Sequence, residues 1–116
     1  MRTMHAKDLK QAMDQQQDLL LINVLKQDDF DAKHIPGSRN VPNESPKFVD
    51  EVRSMEGSKT RPIVVYCASA SCQASPTAAK KLEQAGFTNV TDFEGGVAEW
   101  KEAGFTLESR TPAGKH

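Results

Sequence analysis

One stretch limits what this chain can fold into more than any other: Val64-Val65-Tyr66-Cys67, then Ala68-Ser69-Ala70-Ser71-Cys72-Gln73-Ala74, then Ser75-Pro76. Ile63 to Tyr66 are β-branched or aromatic, which reads as a buried strand. Ser75 suits an N-cap, and Pro76 the first helical position, where its missing N–H has no partner anyway. Between them lies a loop of small residues holding two cysteines. Cys67 is thus predicted at the C-terminal end of a strand, facing a helix N-terminus, where open α/β sheets place their ligand sites. Loop amides and the helix dipole both favour a thiolate over a thiol.

The flanking segments extend that pattern. Leu19 to Val24 is the most apolar run in the chain, and its length predicts a strand buried on both faces, hence a parallel sheet. His5 to Met13 has helical spacing, with Thr3 as its cap. Asp28 to Lys33 predicts one helical turn, Ile35-Pro36-Gly37 a tight turn, and Asn40-Val41-Pro42 a short extended piece. Ser45-Pro46 opens a further helix with Phe48, Val49, Val52 and Met55 as its stripe and Gly57 as its end. The helix from Ser75 to about Gln84 stops at Gly86. Val90 to Phe93 is a strand, and Glu94-Gly95-Gly96 turns into a helix carrying Val97, Trp100 and Ala103, closed by Gly104. Strands alternating with helices predict an α/β fold with a parallel sheet and right-handed crossovers. Residues 1–107 are expected to form one domain and 108–116 a flexible tail.

Composition narrows the function classes. The formal net charge is −1 over 116 residues, which gives no reason to expect nucleic acid or an anionic membrane as partner. No apolar run approaches a membrane span, and Met1 to Asp8 has no apolar signal core, so a cytoplasmic location is expected. In a reducing compartment cysteines are more often free or catalytic than structural.

Cys67 is the candidate nucleophile. Cys72 follows at Cys67-x4-Cys72, which is neither the Cys-x-x-Cys of a dithiol oxidoreductase nor a zinc signature; His5, His34 and His116 are scattered, and no metal site is expected. A resolving thiol, an additional sulfur site and loop filler are all open readings for Cys72. The stretch from Cys67 to Ser75 contains no Arg or Lys. A thiol phosphatase or arsenate reductase needs such a cation to grip its oxyanion, so that chemistry is disfavoured. His34 reads as a structural turn histidine, Gly95-Gly96 as a tight strand-to-helix turn, and Trp100 as a core anchor.

Together these residues resemble a rhodanese-like domain, over nearly the whole chain. Leu21-Ile22-Asn23-Val24 with Phe30 and His34-Ile35-Pro36-Gly37-Ser38 is similar to the family's first signature. Val64-Val65-Tyr66-Cys67 resembles the strand entering its active-site cysteine. Leu82-x3-Gly86-Phe87-x2-Val90 resembles the following helix and strand, and Gly95-Gly96-x3-Trp100-x3-Gly104 the closing signature. The resemblance implies a central parallel sheet flanked by helices. It implies that Cys67 carries a persulfide and that Ala68, Ser69, Ala70, Ser71, Cys72, Gln73 and Ala74 form the substrate-binding loop whose amides surround it. Three positions depart from the pattern: Asn23-Val24-Leu25 stands where Asp-Val-Arg is common, Lys33 replaces a glycine, and the loop is longer and lacks a basic residue.

The expected activity is a sulfurtransferase or sulfur carrier that moves sulfane sulfur through Cys67 without a cofactor. The donor would be a small sulfur compound or a protein persulfide, and the acceptor a thiol or a cyanide-like nucleophile. The alternative is a rhodanese-fold binding or thiol redox-sensing module. Aiming Cys67 into the amide cradle predicts a resting state with both thiols reduced and Cys72 on the rim.

Overall fold

The computed structural model describes residues 2–15, 18–56 and 61–109. Five parallel strands form one sheet: β1 (Arg2–Thr3), β2 (Leu20–Asn23), β3 (Arg39–Asn40), β4 (Ile63–Tyr66) and β5 (Val90–Phe93), in the order β1-β5-β4-β2-β3. Five helices accompany them: α1 (Ala6–Asp14), α2 (Gln27–Ala32), α3 (Phe48–Glu56), α4 (Ala74–Gln84) and α5 (Gly96–Glu102). The expected α/β architecture is therefore present.

Alternation along β4 divides the core. Ile63, Val65 and Cys67 join Phe48, Val52, Ala78, Ala79 and Leu82 on the α3 and α4 side. Val64 and Tyr66 join Leu9, Phe93 and Trp100 on the α1 and α5 side. β2 and β4 are buried along their whole length, as their apolar runs predicted, with Asn23 the one polar residue of β2. Trp100 packs edge-on against Phe93 and donates its indole N–H to the Thr106 carbonyl at 2.8 Å, which ties down the end of α5. Gly86 and Gly104 take positive φ after α4 and α5, as expected of left-handed helix stops.

Four local expectations change. Thr3 lies in β1, and α1 is instead preceded by His5, whose amide donates to the Asp8 carboxylate at 3.2 Å. α4 starts at Ala74, so Ser75 is inside its first turn and is not the cap. Pro76 still sits among the first helical positions, whose amides lack intrahelical acceptors. α3 begins only at Phe48; Ser45-Pro46 forms the preceding turn, and Gly57 lies outside the described residues. Glu108, expected in the tail, forms an antiparallel bridge with His34, with N–H to O distances of 2.8 and 2.9 Å. Residues 110–116 of that tail lie outside the described residues. Among the described residues no helix is long and apolar enough to cross a membrane.

Candidate functional site

The chain leaves β2 toward β3 on one side and β4 toward β5 on the other. Connections diverging in this way open a crevice at the carboxyl ends of β2 and β4, the usual ligand position in such sheets. Cys67 follows β4 directly and lies in that crevice. It has 0% of its surface exposed and packs with Val65, Ala78 and Ala79. The loop above it is half-buried at Ser69 and Cys72 and exposed at Ala68, Ala70 and Ser71.

The loop is held from two directions. Within it, the Cys72 amide donates to the Ser69 carbonyl at 3.0 Å, closing a tight turn. Among the described residues the amides of Ala68, Ser69, Ala70 and Ser71 have no protein acceptor. From outside, the first amides of α5 reach across: Val97 donates to the Cys67 carbonyl at 3.0 Å and Ala98 to the Ala68 carbonyl at 2.9 Å. Gly96 permits that approach. It has φ +58°, and a Cβ there would collide with the Cys67 carbonyl. Gly96, expected only to help make a turn, also sets the distance between α5 and the cysteine loop.

The turn at Ser69–Cys72 carries Cys72 back over Cys67. Their sulfurs are joined as a disulfide, with Cα atoms 6.5 Å apart. This replaces the expected resting state with two free thiols. The reason is geometric: the small residues of the loop let it fold back on itself, so Cys72 is bonded to Cys67 and not held apart from it on a rim.

Below the disulfide, Ser75 Oγ stands 3.5 Å from Cys67 Sγ. Asp92 of β5 lies nearby and is buried. Burial pushes the Asp92 carboxyl above the usual carboxylate range, the Ser75 hydroxyl opposes this, and the Glu94 charge adds to it. Sequence reasoning missed Asp92, although one acid in a strand reading Val-Thr-Asp-Phe was an available signal.

Beside Ala68 runs a groove of about 490 Å³, lined by Leu25, Ala32, Ala68, Val97 and Ala98. Leu25 and Lys33, two of the positions that depart from the family pattern, both line it, with Lys101 and Asp29. The loop lacks a cation, but two lysines, Lys101 of α5 and Lys33 at the end of α2, line the groove beside it. His34 belongs to the scaffold instead. Its Nδ1 pairs with the Phe30 carbonyl at 2.8 Å, its ring stacks on Phe30, and Nε2 is 3.7 Å from the Glu108 carboxylate. Tyr66 is likewise structural: its hydroxyl accepts the Ile35 amide at 3.0 Å and pairs with Ser38 at 2.7 Å. Among the described residues no group of three His, Cys, Asp or Glu side chains could hold a metal ion.

Comparison with known proteins agrees with this geometry. The transcriptional regulator Rv0324 of Mycobacterium tuberculosis, of the helix-turn-helix type, is 31% identical over 97 residues, covering 84% of this chain and 41% of the regulator. The adenylyltransferase and sulfurtransferase UBA4 of Meyerozyma guilliermondii is 31% identical over 87 residues, covering 72% of this chain and 20% of that protein. This chain thus spans less than half the length of either relative. The rhodanese-like domain of the Alr3790 protein from Anabaena superposes with a TM-score of 0.82 at 30% identity, covering 98% of this chain and 86% of that domain. The family model for the rhodanese-like domain matches residues 5–103, from the turn before α1 to the end of α5, and the chain belongs to that family.

Proposed function

We propose that this domain is a sulfurtransferase or sulfur carrier that takes a sulfane sulfur onto Cys67 as a persulfide and passes it to a thiophilic acceptor. The observation that carries this reading is the position of Cys67: at the end of β4, where the connections from β2 and β4 diverge, beside a loop whose early amides lack acceptors among the described residues. Thiol–disulfide exchange with two equivalents of a small thiol, which leave joined as their own disulfide, opens the Cys67–Cys72 bond and frees the nucleophile. The Cys67 thiolate attacks the outer sulfur of the donor, the S–S bond of the donor breaks, and the leaving anion departs with the electron pair. The amides of Ala68, Ser69, Ala70 and Ser71, left without acceptors among the described residues, then stabilise the persulfide anion. An acceptor thiolate or cyanide takes the outer sulfur and returns Cys67 as thiolate. The family and the naming of one relative as a sulfurtransferase support the class of reaction. No cofactor enters the cycle.

The reduced protein, incubated with polysulfide or thiosulfate, should gain one sulfur atom on Cys67 by mass spectrometry and lose it to an acceptor. Cys67→Ser should abolish both. A second reading, a thiol redox-sensing module, is favoured by one observation, the Cys67–Cys72 disulfide. Clean disulfide formation with no persulfide under the same conditions would select it.

A further inference from the structure

The groove beside Ala68 draws its apolar lining from four segments: Leu25 after β2, Ala32 of α2, Ala68 of the cysteine loop, and Val97 and Ala98 of α5. Its volume of about 490 Å³ falls in the range of about 300–1,000 Å³ usual for small-molecule sites. Cyanide or thiosulfate, with a handful of atoms each, leaves most of it empty. The groove begins at the reacting centre. Ala68 follows Cys67 in the chain, and the Ala98 and Val97 amides hold the carbonyls of Ala68 and Cys67 at 2.9 and 3.0 Å. Leu25 packs against the core cluster that contains Cys67. Ala32, Ala68 and Ala98 are exposed although apolar. Lys33 and Lys101 outnumber the groove's one acid, Asp29. Among the described residues neither ammonium has an ion pair, a hydrogen bond or a ring contact. Two of the lining residues are departures from the family pattern. Leu25 puts an apolar side chain where a cation is common, and Lys33 adds a cation where there was no side chain.

We propose that this groove binds the organic body of a small thiol that takes sulfur from Cys67, its aliphatic stem on the apolar lining and its terminal carboxylate on Lys33 and Lys101. The inference rests on Cys67 forming a persulfide. The acceptor thiolate RS⁻ attacks the outer sulfur of that persulfide. The new S–S bond forms as the bond from the outer sulfur to Cys67 Sγ breaks, and the electron pair returns to Sγ. The transferred sulfur keeps its proton, so the products are RSSH and the Cys67 thiolate. Run backward, the same step loads Cys67 from RSSH, so one groove serves organic donors and acceptors alike. The stem matters because each methylene fully removed from water is worth about fourfold in affinity, and about twofold where one side stays open. The carboxylate matters because each exposed lysine pair adds at most about fivefold. A singly charged end matches two lysines offset by one aspartate better than a dianionic phosphate does.

The test is single-turnover transfer from the full chain, reduced, freed of reductant and loaded with polysulfide. Three acceptors share one stem and one thiol: 6-mercaptohexanoate, 6-mercaptohexanol and 6-aminohexanethiol. Each rate is divided by that acceptor's rate with a small neutral disulfide in free solution, which removes differences in nucleophilicity. Mass spectrometry separates transfer, which returns the Cys67 thiol, from capture by Cys72, which leaves the disulfide. The wild type should prefer the carboxylate to the alcohol by about fivefold, with the ammonium slowest. 2-Mercaptoethanol should be about tenfold slower than 6-mercaptohexanol. In Lys33→Ala with Lys101→Ala the ratio of carboxylate to alcohol should fall to about one. In Lys33→Glu with Lys101→Glu it should invert, with 6-aminohexanethiol the best acceptor, and misfolding does not create a new preference. Equal rates for the three long acceptors in the wild type, a carboxylate preference that survives both double variants, or no advantage of the long stem over the short one overturns the proposal. Absence of any persulfide in the wild type overturns the sulfur-transfer reading, and the groove is then judged by heptanoate, in which a methyl replaces the thiol. Millimolar heptanoate should shift the amide resonances of Ala32, Ala68 and Val97 more than heptanol does. Equal or absent shifts remove the groove as a binding site.

Discussion

Replacing Gly96 by Ala tests whether α5 holds the cysteine loop in place. Two costs add. At φ +58° an L-residue pays about 1–2 kcal/mol for the left-handed backbone. The new Cβ also meets the Cys67 carbonyl, which is backbone and cannot swing aside. Relief requires α5 to withdraw, which strains or breaks the bonds from Val97 to Cys67 O and from Ala98 to Ala68 O, now 3.0 and 2.9 Å. Each is worth about 0.5–1.5 kcal/mol, so the total reaches about 2–5 kcal/mol. Gly37 supplies the control. It has φ +86° with nothing within 4 Å of an added Cβ, so Gly37→Ala carries the backbone cost alone. That cost is reduced by about 0.4–1 kcal/mol through the unfolded state. Urea unfolding of both variants should place Gly96→Ala well below Gly37→Ala, and only Gly96→Ala should slow persulfide formation on Cys67. Equal stability losses and equal rates in the two variants would show that the contact between Gly96 and Cys67 has no energetic weight.

Asp92 has a folded pKa raised above its ordinary 3.8, so the native state holds its proton more tightly and stability is lost as pH rises above that value. Asp92→Asn should therefore gain stability over the wild type at neutral pH and not near pH 3; a gain independent of pH in thermal melts would refute this. Thiosulfate should be a poorer donor than polysulfide because Cys67 to Ser75 holds no cation. Lys33→Ala with Lys101→Ala should raise the KM of anionic donors severalfold with little change in kcat; an unchanged KM removes those lysines from substrate binding.

Legibility in the sequence tracks how local the cause is. β4 is readable because Ile63 to Tyr66 is buried on both faces and every residue says so. Gly86 and Gly104 are readable because a helix stop is a local backbone requirement. Ser75 misleads for the converse reason. Its capping preference is local, but its hydroxyl is occupied below Cys67, and the helix begins one residue earlier. The second role of Gly96 cannot be read at all, since its partner is the carbonyl of Cys67, brought close only by the β4–β5 pairing. β1 has two residues, too few for any period to show. The cations of the groove come from the ends of α2 and α5, so inspecting the loop alone misses them.

Cys72 owes its reach to the fold-back of the loop. Its sulfur is bonded to Cys67, so it can meet the nucleophile without a large movement of the chain. Two balanced reactions lead to that state. With a persulfide on Cys67, the Cys72 thiolate attacks Cys67 Sγ, a disulfide forms, and hydrosulfide leaves. With a sulfenic acid on Cys67, the same attack forms the disulfide and expels water. Either route competes with further oxidation, because sulfinic acid forms only from a sulfenic acid that has not been captured. Ring closure over five residues makes capture intramolecular and fast. Cys72→Ser should therefore leave persulfide formation on Cys67 largely intact. Peroxide should then drive Cys67 to sulfinic acid in that variant, while the wild type stops at a disulfide that dithiothreitol reverses. Mass spectrometry of the Cys67 peptide over a peroxide titration separates the outcomes. Loss of persulfide formation in Cys72→Ser would put Cys72 in the primary chemistry. An unchanged peroxide response would mean that the pairing does not protect Cys67, and that sulfur transfer proceeds without regard to its neighbour.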